Sequence, residues 1–447
     1  MARMKDAHGS PCIGRVAMAQ GAFPSTFRAL RHRNFRLFFF GQMISLVGTW
    51  MQTIAQQWLV YRLTGSAAML GMVNFMAVLP LVPLSLWGGS LADRFPKRSI
   101  LVFTQSAMMV QAFILAALTW TGGVQVWHVL VLALLLGAVG AVDVPTRQAF
   151  IVEMVGDKED LSNAIALNSA IFNGGRALGP AAAGAIVATI GEAGAFFING
   201  VTFIAVIAGL LMMRLSASPR PPQPSRLGAH LREGMRYVWG HQVVTVLLSL
   251  VAISAFLSMP YSTLLPVFAH DVLAESAHPV VALLCGGSSA PFTCRSPDAL
   301  IYGMLMAASG VGAVTGALFV ASLPRGARRG RWLTVSNLCF PALLVAMALS
   351  RSFALSLLLL VGIGFAFVTQ NALANTLIQI TVPDSLRGRV MSFYSLMFQG
   401  MMRLGGMQAG AVGDRWGAPT AVGVGAAACL AYNLWVAWRY PRLRRMA

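Results

Sequence analysis

Apolar runs recur along this chain, separated by short polar interruptions. Each is long enough, at about 17–25 residues, to cross a hydrocarbon core. Their ends place twelve predicted helical spans at 36–61, 67–91, 99–121, 125–147, 162–190, 194–214, 242–268, 300–322, 331–350, 353–377, 390–413 and 418–438. The first 34 residues lack the apolar core of a cleavable signal, so no cleavage is expected. Residues 1–17 read as unstructured, which makes Met18 a candidate start.

Composition agrees with the pattern. Mean hydropathy is +0.70 and only 11% of the 447 residues are charged, about half the fraction usual in soluble domains. The net charge of +19 would suggest nucleic acid on a soluble protein. Here the basic residues sort by side. With the N-terminus in the cytoplasm, cytoplasmic segments collect 27 of the 33 Lys and Arg residues, and outer loops hold only Arg62, Arg295, Arg351 and Arg415. That is the positive-inside pattern. It predicts both termini in the cytoplasm of a bacterial inner membrane, contact with anionic lipid headgroups and no nucleic-acid partner. The other two, Arg176 and Arg403, fall inside spans.

The stretch MRLSASPRPPQPSRLGAHLREG reads as a solvated linker. It divides the chain into a cytoplasmic N-terminal segment 1–34, a first six-span half 35–214, a linker 215–241, a second half 242–438 and a tail 439–447. A shift of 227 residues lays Asp157 on Asp384, Arg176 on Arg403 and Gly179 on Gly406, and superimposes span five on span eleven. Near the start, PSTFRALRHRNFRLFFFGQ mixes rings with Arg. It suits an interfacial helix whose guanidinium groups reach phosphates, or an ordinary juxtamembrane flank. Cys285 and Cys294 bracket GGSSAPFT in an insertion near 269–299 on the outer side, where disulfides persist. A bridge there would staple a flexible loop locally. No cysteine spacing resembles a metal site.

Candidate chemistry sits on the spans. Gln42, Ser45, Thr49, Gln52 and Gln56 recur at steps of three and four on one face of span one. A polar stripe cannot face lipid, so it bonds to neighbouring helices or lines an aqueous cavity. Asn371, Asn375 and Gln379 form a shorter version on span ten. After span two, GGSLADRFPKRS places Gly89 four residues before Asp93, followed by Arg94, Lys97 and Arg98. The carboxylate there is suited to pairing with a base or capping a facing helix N-terminus.

This loop, Gly89 to Arg98, resembles the loop signature of major facilitator transporters, although Pro96 stands where that pattern has Gly. Gly175, Gly179, Pro180 and Gly184 resemble the family's antiporter motif. FRALRHRNFRLFFFGQ, DVPTRQAF and VPDSLRGRVMSFY are similar to the bacterial exporter subgroup that includes siderophore exporters of the enterobactin type. The resemblance implies an all-α membrane protein with twelve transmembrane helices in two pseudo-symmetric six-helix bundles. These bundles would rock about a central site. Monomer is the default for that fold. Gly175 and Gly179 are suited to close sliding contact between helices, and Pro180 to a bend.

Arg176 lies about 15 residues, or roughly 22 Å, into its span. An unpaired Arg there costs about 2.5–3.5 kcal/mol on insertion scales. No Asp or Glu lies near mid-span. Arg176 and Arg403 therefore contact an anionic ligand, or pair structurally, or serve coupling. Gln52, Gln56, Asn173 and Asn371 complete the candidate substrate contacts. Asp143, with Arg147 four residues on, is the candidate proton-coupling or gate group; burial would raise its proton affinity and Arg147 would lower it.

The expected function is secondary active export of a small organic molecule, a siderophore-like anion or a drug, by proton antiport. The alternatives are a lipid or lysolipid flippase of the same fold, or a non-transporting sensor or scaffold. No nucleophile–base pair, metal-ligand cluster or ATP-binding loop points to an enzyme or to a cofactor.

Overall fold

A computed structural model describes residues 25–80, 84, 95–155, 158–214, 235–286, 294–324 and 327–446. Gly89, Asp93, Arg94 and Asp157 lie outside the described residues, as do the side chains of Asn173 and Arg176.

The described chain is helical with no strand. The helices are α1 (Arg33–Thr64), α2 (Ala67–Val78), α3 (Lys97–Trp120), α4 (Val126–Val155), α5 (Lys158–Leu211), α6 (Gln242–Val272), α7 (Ala274–Cys285), α8 (Pro297–Ser322), α9 (Arg329–Leu349), α10 (Phe353–Thr381), α11 (Asp384–Trp416) and α12 (Ala418–Arg439). Among the described residues, nine helices are long and apolar enough to cross a membrane. The predicted spans outside those nine are the second, which runs into residues not described, and two others. These are the fifth, counted only from Leu178, and the eleventh, which hold Arg176 and Arg403.

Local signals explain the boundaries. Gly65 ends α1 at φ 60, with its N–H on the Tyr61 carbonyl, a left-handed cap that a side chain would disfavour. Ser66 then caps α2 by accepting from Met69 N–H. Ser352 does the same for α10. Gly191 at φ 82 breaks α5 into two arms, 158–190 and 192–211. Gly417 at φ 84 separates α11 from α12, 226 residues later and one short of the predicted repeat shift.

Close packing runs through glycine. A Cβ on Gly175 would meet Leu46 and Trp50, and one on Gly179 would meet Trp50 and Val47, so the first arm of α5 runs parallel to α1. Gly41 and Gly48 meet Val206 and Asn199 in the second arm, which runs antiparallel. Two α5 arms thus clasp α1.

Two expectations change here. The insertion after α6 is not simply a flexible loop: its first half is α7, and Cys285 and Cys294 are bonded at a Cα–Cα separation of 5.4 Å. The predicted linker is already helical at 235–240, where Tyr237 and Val238 pack with the second half.

The buried core has three parts. One is confined to the first half, around Phe35, Phe38, Phe150 and Phe203. Another is confined to the second half, around Leu247, Leu333, Leu377 and Val390. The third joins both halves, mixing Trp58, Leu70 and Val187 with Leu264, Tyr302 and Phe340. It lies toward the end bearing Gly65, Gly191 and Gly417, called the outer end because the charge count predicts it there.

Candidate functional site

The halves meet through polar contacts gathered at the outer end. Tyr61 Oη donates to Asp271 Oδ2 at 2.6 Å. Ser66 Oγ and Ala67 N–H donate to the two oxygens of Asp414 at 2.6 and 2.5 Å. Tyr302 Oη donates to Gln57 at 3.0 Å, and Arg295 N–H to the Ala188 carbonyl at 2.6 Å. Gly184 faces Gly303 so closely that a Cβ on it would lie 2.6 Å from the opposing Cα. At the opposite ends of the same helices, no hydrogen bond joining the halves is seen among the described residues.

Arg403 is positioned by α11 against α2. Its Nη1 donates to Asn74 Oδ1 at 2.9 Å across the halves. Its buried Nε has no partner, and no carboxylate among the described residues pairs with the guanidinium. A cation in this setting keeps unspent hydrogen-bonding capacity. On α10 and α11, Asn371 donates to the Phe367 carbonyl at 3.0 Å and accepts from Tyr394 Oη at 3.5 Å. Tyr394 and Phe398 stack with rings 6.4 Å apart. Gln379 donates to Asn375 at 2.5 Å.

On the span-one stripe, Gln52 bonds to two neighbouring helices, while Thr49 donates back to the Ser45 carbonyl of its own helix. Gln52 is 3% exposed. It donates to Gln111 on α3 at 2.9 Å and accepts from Asn199 on α5 at 2.6 Å. Gln56, Thr49 and these amides line a void of about 30 Å³, room for a water or two and too small for an organic cargo. The sequence left helix bonding and cavity lining open; in this conformation Gln52 bonds to neighbouring helices within the first half, and Gln56 lines the small void.

Asp143 is fully buried. It pairs with Arg147 one turn on and accepts from Thr104 Oγ1 at 2.7 Å and Gln105 Nε2 at 2.8 Å, both on α3. The cluster lies wholly within the first half, so Asp143 is not a cross-half gate bond in this conformation. Of the basic loop, Lys97 pairs with Glu153 at 2.5 Å, and Arg98 binds the Leu211 carbonyl at 2.5 Å. Arg98 thus caps the C-terminus of α5.

The N-terminal segment is tied to the start of α5 through Arg28 and Arg31. They reach Asp160 at 2.6 and 2.7 Å, joined by His32 at 2.9 Å. Asn163 accepts from Ala29 N–H at 2.9 Å. The His32 hydrogen bond first, then Arg31 and Arg28, hold the Asp160 carboxyl below its ordinary value. A buried carboxylate with three basic neighbours pins the Ser25–Arg31 turn to the start of α5.

Sequence reasoning missed Asn74, Gln111, Asn199, Tyr61, Asp271 and Asp414. Asn74 and Asn199 were visible as lone amides in apolar runs. Asp271 and Asp414 had no such signal, since outer loops are expected to be polar.

Together these features describe a multi-pass helical protein whose two halves are joined by hydrogen bonds toward one end. Comparison with known proteins makes the family definite. A family profile described as transmembrane secretion effector matches residues 24–446, and the chain belongs to that family of major facilitator exporters. It is 26% identical over 391 residues to the multidrug efflux pump Tap of Mycolicibacterium fortuitum, covering 85% of this chain and 89% of that one. It is 28% identical to the staphyloferrin A transporter of Staphylococcus aureus over 241 residues, covering 53% of this chain and 59% of that protein. Two solved structures share the fold. The nucleoside transporter NupG superposes with a TM-score of 0.66 at 14% identity, covering 94% of this chain and all of that one. A bacterial homologue of the human lysosomal transporter Spinster, inward-facing and unoccupied, gives 0.63 at 16%, covering 95% and 98%.

Proposed function

We propose that this protein is a secondary active exporter of small organic molecules. It moves an amphipathic anion of the siderophore kind, or a drug, out across the inner membrane in exchange for protons. Twelve spans would form two six-helix bundles with both termini in the cytoplasm, acting as a monomer by alternating access. The observation that carries this reading is the asymmetry of the core. The halves share one sealed core at the outer end and keep separate cores at the other, as a carrier open to the cytoplasm requires. Arg403, midway along α11 with no carboxylate partner among the described residues, supports an anionic cargo, with Arg176 its counterpart in the first half. The relatives named for staphyloferrin A and for multidrug efflux support that range of cargo.

The test is transport in proteoliposomes under an imposed pH gradient, with anionic siderophores and cationic drugs as separate arms. Arg403→Ala is expected to slow anion export about tenfold or more, the worth of one charged hydrogen bond. Cation export should change little. Equal loss in both arms removes the anion-contact role, and gradient-independent export removes antiport.

A further inference from the structure

The outer gate is chemically one-sided. At the two carboxylates the first half supplies only neutral donors: the Tyr61 hydroxyl, the Ser66 hydroxyl and the Ala67 N–H. The second half supplies the charge, on Asp271 and Asp414. No first-half cation answers either carboxylate among the described contacts; Arg62, the nearest in sequence, is held by Glu192 at 2.7 Å. Ala67 opens α2, so Asp414 also faces the positive end of that helix. Charge-assisted bonds of this kind are roughly twice as strong as neutral ones. The grip of the gate therefore depends on two negative charges. Asp414 is exposed and the Asp271 side chain is 49% exposed, so outer water, and its protons, reach both.

We propose that Asp271 and Asp414 are the latches of the outer gate, closing it while ionised and releasing it when protons arrive from the outer side. The proposal rests on the exporter reading and gives it a point of entry for the driving ion. Other titratable groups around them are few. Asp271 is flanked by His270, whose Nδ1 lies 2.6 Å from Oδ1, and His270 Nε2 stands 3.7 Å from Asp298 at the start of α8. Tyr61 on α1 touches Asp271 directly and feels Asp414 electrostatically. Arg415 adjoins Asp414 in sequence. Protonating either aspartate leaves a neutral acid and removes the charge that α2 and Tyr61 were bonding. The freed donors then turn to water, and the halves part where Gly184 meets Gly303.

The test needs no cargo. A reporter thiol is placed by Ala188→Cys; Ala188 is 1% exposed and its carbonyl holds Arg295 in the closed gate. Cys12→Ser, Cys339→Ser and Cys429→Ala clear the background. An impermeant maleimide is added from the outer side of purified, reconstituted protein. Asp414→Asn and Asp271→Asn are each expected to raise the labelling rate about tenfold, and the double variant about a hundredfold if the latches act independently. Tyr61→Phe, on the opposite half, should reproduce Asp271→Asn, so misfolding of one variant does not decide the matter. In the parent, acidifying the medium should raise labelling, and the double Asn variant should lose that response. Parental rates in the variants overturn the latch. Raised rates with an intact pH response overturn the proton step. A chain that labels as expected yet exports nothing would instead count against the exporter reading.

Discussion

Gly184→Ala tests the sealed outer end most directly. The added Cβ lies 2.6 Å from the Gly303 Cα, against an ordinary contact of 3.4–4 Å. Both clashing groups belong to helix backbone, so no side chain can swing aside. The arms of α5 and α8 must separate by roughly an ångström at this level. Overpacking of that kind costs about 1–3 kcal/mol. The cost is paid only while the gate is shut, so the open-to-closed ratio should rise about 5- to 150-fold. Gly174→Ala is the control. It lies in the same arm, and a Cβ there meets nothing within 4 Å, so it shares the gain in helix propensity, about 1 kcal/mol, without the clash. Spin labels introduced by Ile190→Cys and Leu283→Cys, both at exposed positions on opposite halves, report the gate distance by pulsed dipolar spectroscopy. A longer-distance population should appear in Gly184→Ala and not in Gly174→Ala. Identical distributions in the two variants would refute the backbone contact, and with it the sealed gate.

The remaining predictions concern the ends of the molecule. The Asp160 carboxyl is held below 3.8 in the folded chain. A lowered value means its contribution is complete above the ordinary carboxylate range and fades as pH falls through the depressed value. Limited proteolysis near Arg28 should therefore stay slow from neutral pH down to about 5 and quicken only below about 4. Asp160→Asn should quicken it at neutral pH, and slow cleavage in that variant would show that the clasp holds nothing. At the other end, thiol counting should gain two groups per chain on reduction, from Cys285 and Cys294. Labelling of both without reductant rules the bridge out.

Much of the architecture could be read from residue order, because membrane solvation imposes it. Runs of apolar residues had to become helices to satisfy their own backbone groups. Gly191 and Gly417 both take positive φ where one helical segment gives way to the next. The site was less legible. Gln52 announced a polar face, yet only packing chose Gln111 and Asn199 over a cavity. Arg28 and Arg31 announced a basic flank, yet only the folded chain brings Asp160 to them from far along the sequence. Asp414 is one outer-loop carboxylate among several in sequence, and becomes a latch through contact with a helix start nearly 350 residues earlier.

Hydrophobic length, the sidedness of basic residues and a lone mid-span arginine are properties of single segments, so the sequence alone determined that this chain crosses a membrane, in which direction it is expected to run, and that α11 carries a costly charge. Which end is shut, which polar groups bond across the halves and which merely brace one half are properties of pairs distant in the chain. Those pairings depend on how closely two helices approach, at Gly184 and Gly303 above all, and only the tertiary structure decided them.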